Sequence, residues 1–124
     1  MDKHKARILI VDDHADIRRL IRMTLQQRYE VIEAPNGVAA LELARSVQPD
    51  LLVLDVMMPG ELDGYKVLQA IRADPHISGM RVVILTARGQ ASDYLAGLEA
   101  GADAYVIKPF SPHQLLGEIE RLLV

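Results

Sequence analysis

The chain has 124 residues, half of them apolar, which is enough for one buried core and predicts a single domain over residues 1–124. Its net charge of -3 lacks the basic excess needed to bind a nucleic-acid backbone, so we expect no direct nucleic-acid partner. The absence of cysteine excludes disulfides and thiolate chemistry and suits a cytoplasmic protein. No apolar run reaches the roughly 20 residues of a membrane span.

The first strand and helix are predicted at residues 8–11 and 17–25. The run ILIV at 8–11 is continuous and apolar, as in a parallel strand covered by helices on both faces. Polar residues follow, and then side chains recur at the spacing of one buried helical stripe: Ile17, Leu20, Ile21, Thr24 and Leu25. The arginines of this segment are expected on its solvated outer face: Arg18, Arg19 and Arg22.

The next two strand and helix units span residues 29–71. Residues 29–33 (YEVIE) predict a strand whose interrupting charges suit a sheet edge. Asn36-Gly37 opens a second predicted helix, with apolar positions Val38, Leu41 and Ala44. Residues 51–54 (LLVL) predict a third, buried strand, and the third helix is predicted from Gly64, Leu68 and Ile71.

The last two units complete an alternating pattern. Residues 82–85 (VVIL) and 105–107 (YVI) predict strands, and between them Leu95 and Leu98 predict a fourth helix that Gly101 closes. The last helix begins with a capping box, Ser111-Pro112-His113-Gln114, and has the apolar stripe Leu115, Leu116, Ile119, Leu122 and Leu123. Five strands alternating with five helices indicate an open α/β sandwich with a parallel sheet, and leave the strand order open.

Polar residues follow four of these strands, where an open parallel sheet binds its ligands. They are Asp12 and Asp13 after the first strand, Asp55 after the third, Thr86 after the fourth and Lys108 after the fifth. Each alone also fits a helix cap, a turn or a solvated strand end. Together, three carboxylates in close quarters predict a bound hard cation, Mg²⁺ or Mn²⁺. Zinc is not expected, because no histidine occupies a matching position and His14 only follows the acidic pair.

In these residues the chain resembles the receiver domains of bacterial two-component signalling. The resemblance covers nearly the whole chain and rests on five segments in order: ILIVDD at 8–13, DVMMPGELDG at 55–64, LTA at 85–87, GAD at 101–103 and KPF at 108–110. It implies a doubly wound, flavodoxin-like three-layer sandwich whose five parallel strands lie in the order 2-1-3-4-5. It also implies a response regulator that is switched by a histidine kinase or a histidine phosphotransfer protein.

The resemblance assigns roles to the matching positions. Asp55 is the expected phosphoryl acceptor, and the expected metal ligands are Asp12, Asp13, Asp55 and the backbone carbonyl of Met57. Phosphoryl binding and switching fall to Thr86, Ala87, Lys108 and Tyr105, and the Lys108–Pro109 peptide is expected to be cis. Met57 and Arg88 are expected to tune dephosphorylation. An effector or a second copy would bind the face formed by the fourth helix, fifth strand and fifth helix.

Two features of the sequence depart from the usual pattern of the receiver family. The loop Gly60-Glu61-Leu62 is one residue longer than is common in the family. Ala104 replaces an aspartate that is often found in receivers that pair through the face formed by the fourth helix, fifth strand and fifth helix.

An aspartate-nucleophile phosphatase would usually have an acidic residue two positions after the nucleophile, where this chain has Met57. A dinucleotide carrier would need a glycine- or hydroxyl-rich phosphate loop rather than an acidic first loop. A receiver-like module that is never phosphorylated remains the third alternative.

Overall fold

The computed structural model describes residues 5–56, 63–86, 101–108 and 110–123. The strands are β1 (Arg7–Val11), β2 (Glu30–Ala34), β3 (Leu51–Asp55), β4 (Arg81–Thr86) and β5 (Ala104–Ile107). The helices in this part of the chain are α1 (Ala15–Leu25), α2 (Gly37–Val47), α3 (Gly64–Ala73) and α4 (Pro112–Leu123). The helix predicted around Leu95 and Leu98 lies outside the described residues, so α4 is the fifth helix of the prediction.

The five strands form one parallel sheet in the order β2-β1-β3-β4-β5. This is the doubly wound, flavodoxin-like order that the resemblance implied, and the predicted edge position of β2 is confirmed. The order puts β3 in the middle, between β1 and β4. Because all five strands are parallel, their carboxyl ends lie on the same side of the sheet. We call this side, where the strands end, the carboxyl edge, and the side where they begin the amino edge.

Local sequence explains where the helices begin. The side chain of Asn36 accepts a hydrogen bond from the Ala39 amide at 2.9 Å, and Asp63 does the same for the Lys66 amide at 3.0 Å. Ser111 Oγ accepts from the Gln114 amide at 3.1 Å, so the predicted cap of the last helix is confirmed. Each cap satisfies an amide that has no partner within its helix, and fixes the residue at which the helix starts.

Helices cover both faces of the sheet and create two cores. On one face, α2 and α3 pack against alternate strand residues that include Leu9, Leu52 and Ile84. On the other face, α1 and α4 pack against residues that include Ile10 and Val53. This is the three-layer sandwich expected from the continuous apolar strands. Within the described ranges, no helix has the length and apolar character needed to cross a membrane.

Two apolar helix positions are exposed, and one of them, Leu20, was predicted to lie in a buried stripe. Leu20 in α1 is 43% exposed and Val38 in α2 is 58% exposed, whereas Ile21 and Leu41 are buried. Both exposed residues sit at the margin of their helix's apolar stripe, which spacing alone does not separate from its centre. Gly101 has a φ of +96°, a backbone conformation that glycine adopts without strain and that suits its predicted place after a helix.

Candidate functional site

Buried polar side chains mark the carboxyl edge. Among the residues that the structure describes, the buried polar or charged side chains are Asp12, Asp55 and Thr86. Each stands at the end of β3 or β4 or just after β1. Burial of an ionised carboxylate is costly unless opposite charge and hydrogen bonds compensate. This edge therefore carries a concentration of polar groups that the packing of the core does not explain.

Strand geometry brings these residues together. Residues 8–11 of β1 pair with 51–54 of β3, and Asp55 pairs with Leu85. β5 is held in register at its end by the Lys108 amide, which donates to the Thr86 carbonyl at 2.6 Å. Because parallel strands end together, the side chains that follow β1, β3 and β5 point toward one place.

The ammonium of Lys108 lies between two of the carboxylates. Its Nζ is 3.2 Å from Asp12 Oδ2 and 3.4 Å from Asp55 Oδ1. Both carboxylates are buried, so this contact is screened by water much less than a surface ion pair. The structure thus brings together Asp12, Asp55 and Lys108, which sequence reasoning placed at the ends of three different strands.

His14 also belongs to this cluster, which sequence reasoning did not expect. Its Nδ1 lies 3.1 Å from Asp12 Oδ1 and 3.1 Å from Asp13 Oδ1, and its amide donates to Asp12 Oδ1 at 2.9 Å. The hydrogen bond with Asp12 and the charge of Asp13 raise the pKa of His14 above its ordinary value. The sequence signal was present as an Asp-Asp-His run, but the turn that folds the ring back onto the carboxylates was not visible in it.

The prediction that the α1 arginines lie on a solvated outer face was wrong for Arg18. Its side chain is 16% exposed, and its Nη1 donates to the backbone carbonyl of Asp12 at 2.6 Å. Its Nε donates at 3.0 Å to Glu33, which also accepts from Arg22 Nε at 2.5 Å. A long aliphatic stem lets the guanidinium reach acceptors beside the helix, which an outward Cβ direction does not reveal.

The donor set fits a hard divalent cation. Oxygen atoms of Asp12, Asp13 and Asp55 and a ring nitrogen of His14 all lie within 4.8 Å of one another. Three carboxylates offer the oxygen ligands that Mg²⁺ and Mn²⁺ prefer, while His14 is exposed at the rim. The prediction that no histidine occupies a position suitable for zinc was wrong, because His14 belongs to this cluster.

The remaining predicted positions divide between described and undescribed residues. Tyr105 is partly buried against the core that α2 and α3 cover, and its hydroxyl lies 3.2 Å from that of Tyr65 in α3. By strand alternation, Thr86 shares the sheet face of Ile84, which is the face of Tyr105. The roles predicted for Met57, Ala87 and Arg88, and the cis peptide at Pro109, lie outside the described residues.

Fold and edge together define a doubly wound α/β domain with an acidic, lysine-capped cluster at its carboxyl edge. The sequence model of the family described as "Response regulator receiver domain" matches residues 8–120. The chain therefore belongs to the receiver-domain family of two-component response regulators.

Individual relatives agree with this membership. The chain is 49% identical over 125 residues to a "Probable transcriptional regulator ycf27" of Porphyra purpurea, covering 99% of this chain and 49% of that protein. A structure of a putative response regulator from Chloroflexus aurantiacus has a TM-score of 0.91 at 36% identity, with 96% of this chain and 98% of the other covered. The Vibrio cholerae chemotaxis protein CheY4 has a TM-score of 0.89 at 32% identity, with 95% and 98% covered. The chain spans about half the length of the curated relatives it matches.

Proposed function

We propose that residues 1–124 form one receiver domain that accepts a phosphoryl group on Asp55 in an Mg²⁺-dependent reaction. The donor is a histidine kinase or a histidine phosphotransfer protein, and the domain acts in the cytoplasm. The observation that carries this proposal is the buried Asp55 carboxylate with the Lys108 ammonium 3.4 Å away, beside Asp12 and Asp13. We expect the domain to catalyse only its own phosphorylation and dephosphorylation.

The chemistry requires an ionised, aligned carboxylate. An oxygen of Asp55 attacks the phosphorus of the donor, and the new P–O bond forms as the P–N bond to the donor histidine breaks. The electron pair of that bond remains on the imidazole nitrogen, which takes a proton from solvent. Lys108 meets negative charge on the phosphoryl oxygens, and Thr86 offers a hydroxyl as hydrogen-bond donor. Most of the rate enhancement in such transfers comes from positioning and electrostatics.

Asp12, Asp13 and Asp55, with the backbone carbonyl of Met57, would hold the cation. When bound, Mg²⁺ supplies the positive charge that three adjacent carboxylates and a phosphoryl group need. Asp12 also contacts Lys108 and His14, so its carboxylate is held on two sides before any cation binds. Mn²⁺ has the same preference for oxygen ligands and is expected to substitute.

Acetyl phosphate provides the direct test. Incubation with acetyl phosphate and Mg²⁺, followed by intact mass measurement, should add the mass of one phosphoryl group to the wild type and none to Asp55→Asn. Chelation of Mg²⁺ should slow the labelling of the wild type. A protein that is never labelled would instead be the silent interaction module, and unchanged labelling of Asp55→Asn would place the acceptor elsewhere.

Thr86 and Tyr105 are the proposed relay to an output face. This face is formed by β5, α4 and the helix predicted around Leu95 and Leu98. Phosphorylation draws the Thr86 hydroxyl toward the site and changes the space available to Tyr105 on the same sheet face. NMR spectra with and without beryllofluoride test this in the wild type and Thr86→Ala. The relay predicts large shifts around Tyr105 in the wild type and small shifts in the variant. Equal shifts in both proteins would contradict it.

The lifetime of the phosphoryl group and the Lys108–Pro109 peptide are separate proposals. Met57 is apolar and Arg88 is cationic, so neither is a good base for positioning a hydrolytic water. We expect slower self-dephosphorylation in the wild type than in Met57→Asn, measured by the decay of labelled protein. A crystal structure in which Lys108–Pro109 is clearly trans would refute the cis peptide.

A further inference from the structure

Arg18 links α1, β2 and the acidic turn through one guanidinium. Nη1 donates to the Asp12 carbonyl at 2.6 Å, and Nε donates to Glu33 Oε1 at 3.0 Å. The Arg18 side chain is largely buried, and Glu33 is itself held by Arg22. Arg18 is therefore held by the Glu33 carboxylate on β2 while it donates a hydrogen bond to the Asp12 carbonyl at the site.

The carbonyl oxygen of Asp12 that accepts from Arg18 belongs to the peptide unit that joins Asp12 to Asp13. Its orientation is coupled to the Asp12 ψ angle and the Asp13 φ angle, because a peptide unit is planar. The Asp12 amide on the other side of the same residue donates to the Ala34 carbonyl at 3.3 Å. With both backbone groups of Asp12 bonded, the direction in which the Asp13 side chain leaves the backbone is restricted.

We propose that Arg18 is a positioning residue for the cation site, which it serves by fixing the Asp12–Asp13 peptide rather than by touching cation or phosphoryl group. This inference rests on the proposed function of the cluster. The alternative is that Arg18 only fastens α1 to β2. Groups that orient metal ligands from behind commonly affect metal affinity by about 10-fold or more.

Arg22 is a matched control for that alternative. It lies one helical turn after Arg18, and donates to the same Glu33 carboxylate at 2.5 Å. Its Nη2 reaches the Val31 carbonyl at 3.4 Å, in the body of β2 and away from the acidic turn. Arg18→Met and Arg22→Met each remove one guanidinium from Glu33, but only the first frees the Asp12 carbonyl.

The first measurement needs no cation. Backbone NMR of the metal-free proteins should show a large shift and increased motion of the Asp13 amide in Arg18→Met, and neither in Arg22→Met. If the Asp13 amide is unchanged in Arg18→Met, or changes equally in both variants, the positioning role is refuted. Because this comparison involves neither metal nor phosphoryl donor, it gives its answer even if Asp55 proves not to be the acceptor.

The second measurement is Mg²⁺ titration followed by the same amide signals. We expect the dissociation constant to rise by about 10-fold in Arg18→Met and to stay at the wild-type value in Arg22→Met. With acetyl phosphate, labelling of Arg18→Met should recover at high Mg²⁺, because Asp55 and Lys108 are intact. Arg18→Lys keeps the charge but cannot hold both acceptors in the same way, so it should retain the defect. Wild-type Mg²⁺ affinity in Arg18→Met or full rescue by lysine would overturn the proposal.

Discussion

The two edges of the sheet both gather charged side chains, but they balance them differently. At the amino edge, Arg72 of α3 donates to the carbonyls of Ser78, Met80 and Gly101 and to the carboxylate of Asp103. Asp103 also accepts from the Val82 amide at 2.8 Å. At the carboxyl edge, the Lys108 ammonium contacts the carboxylates of Asp12 and Asp55, and the His14 ring contacts those of Asp12 and Asp13.

The difference separates structural charge from functional charge. The guanidinium at the amino edge donates to acceptors in two segments of the chain, 78–80 before β4 and 101–103 before β5, so it ties the end of α3 to both strands. The carboxyl edge keeps an excess of negative charge, which weakens the fold unless a cation binds. Sites of this kind are expected to gain function at some expense of stability.

The largest effect is expected at the amino edge. Arg72→Met removes a 23% exposed side chain and with it the guanidinium donor to the Gly101 and Met80 carbonyls and to the Asp103 carboxylate, which keeps the Val82 amide. We expect unfolding in urea to show a loss of about 3 kcal/mol. Arg45→Met is the control, because the Arg45 side chain is 54% exposed and its one ion pair with Asp74 should contribute less than about 1 kcal/mol. Similar losses in both variants would mean that Arg72 is an ordinary surface arginine.

Gly64 is predicted to be the more sensitive of two helical glycines. A Cβ at Gly64 would lie 2.5 Å from both the Asp55 carbonyl oxygen and Val56 Cα, and these backbone atoms cannot rotate away. Gly64→Ala should therefore cost about 2 kcal/mol and also slow labelling, because it displaces the backbone that carries Asp55.

Gly117 supplies the matched control for this substitution. A Cβ there meets nothing within 4 Å, so Gly117→Ala should stabilise α4 by about 0.5–1 kcal/mol without altering labelling. Urea denaturation and acetyl phosphate labelling measure both glycine variants. If Gly64→Ala is as stable as the wild type, the close approach of α3 to the end of β3 is not a constraint.

The next effect concerns the excess of carboxylates. Without a cation, Asp13→Ala should be at least as stable as the wild type, because it relieves repulsion with Asp12 and Asp55. At Mg²⁺ tenfold above the dissociation constant, the wild type should gain about 1.4 kcal/mol, seen as a higher melting temperature, and the variant should gain little. Equal responses to Mg²⁺ would show that the cation does not bind this cluster.

The smallest effect is the pH dependence of Glu33. The hydrogen bond from Arg22, with a further one from Arg18, lowers the pKa of Glu33 below its ordinary value, although burial partly opposes this. The stability from Glu33 is therefore complete above its ordinary pKa and is lost as the pH falls through the lowered one.

We expect Glu33→Gln to cost about 0.5–1 kcal/mol at about pH 7, and the cost to become smaller as the pH falls below the ordinary pKa of Glu33 toward about pH 3. Urea denaturation at the two pH values measures the gap. A gap that stays constant with pH would indicate lost packing rather than lost charge.

Much of the fold could be predicted because its signals are local. Strand runs, the Asn36 cap and the Ser111 cap follow from nearest neighbours in the sequence, and the structure confirms them. The strand order did not follow from alternation and needed the family resemblance. Leu20 was predicted to lie in a buried stripe and is exposed, because spacing identifies a helix face but not its width.

The carboxylates and the lysine of the site could be predicted from the sequence, but the residues that contact and position them could not. Strand ends converge in any parallel sheet, so Asp12, Asp55 and Lys108 could be placed together in advance. The contacts of His14 depend on a turn that the Asp-Asp-His run does not reveal, and a contact of Arg18 depends on a backbone carbonyl, which leaves no residue-type signal. Arg72 was missed for the same reason, since most of its acceptors are carbonyls distant in sequence.

The register of β5 against β4 restricts how relatives of this chain can vary in length. The Lys108 amide is bonded to the Thr86 carbonyl, and residues 104–107 pair one to one with 83–86. One residue inserted into β5 would exchange Lys108 for a neighbour from the opposite sheet face. Such an insertion would remove the ammonium from Asp55 while leaving composition and hydropathy almost unchanged. Length differences that preserve signalling should therefore accumulate between strands, and a relative with an altered β5 length should be tested for lost phosphorylation even when its aspartates are intact.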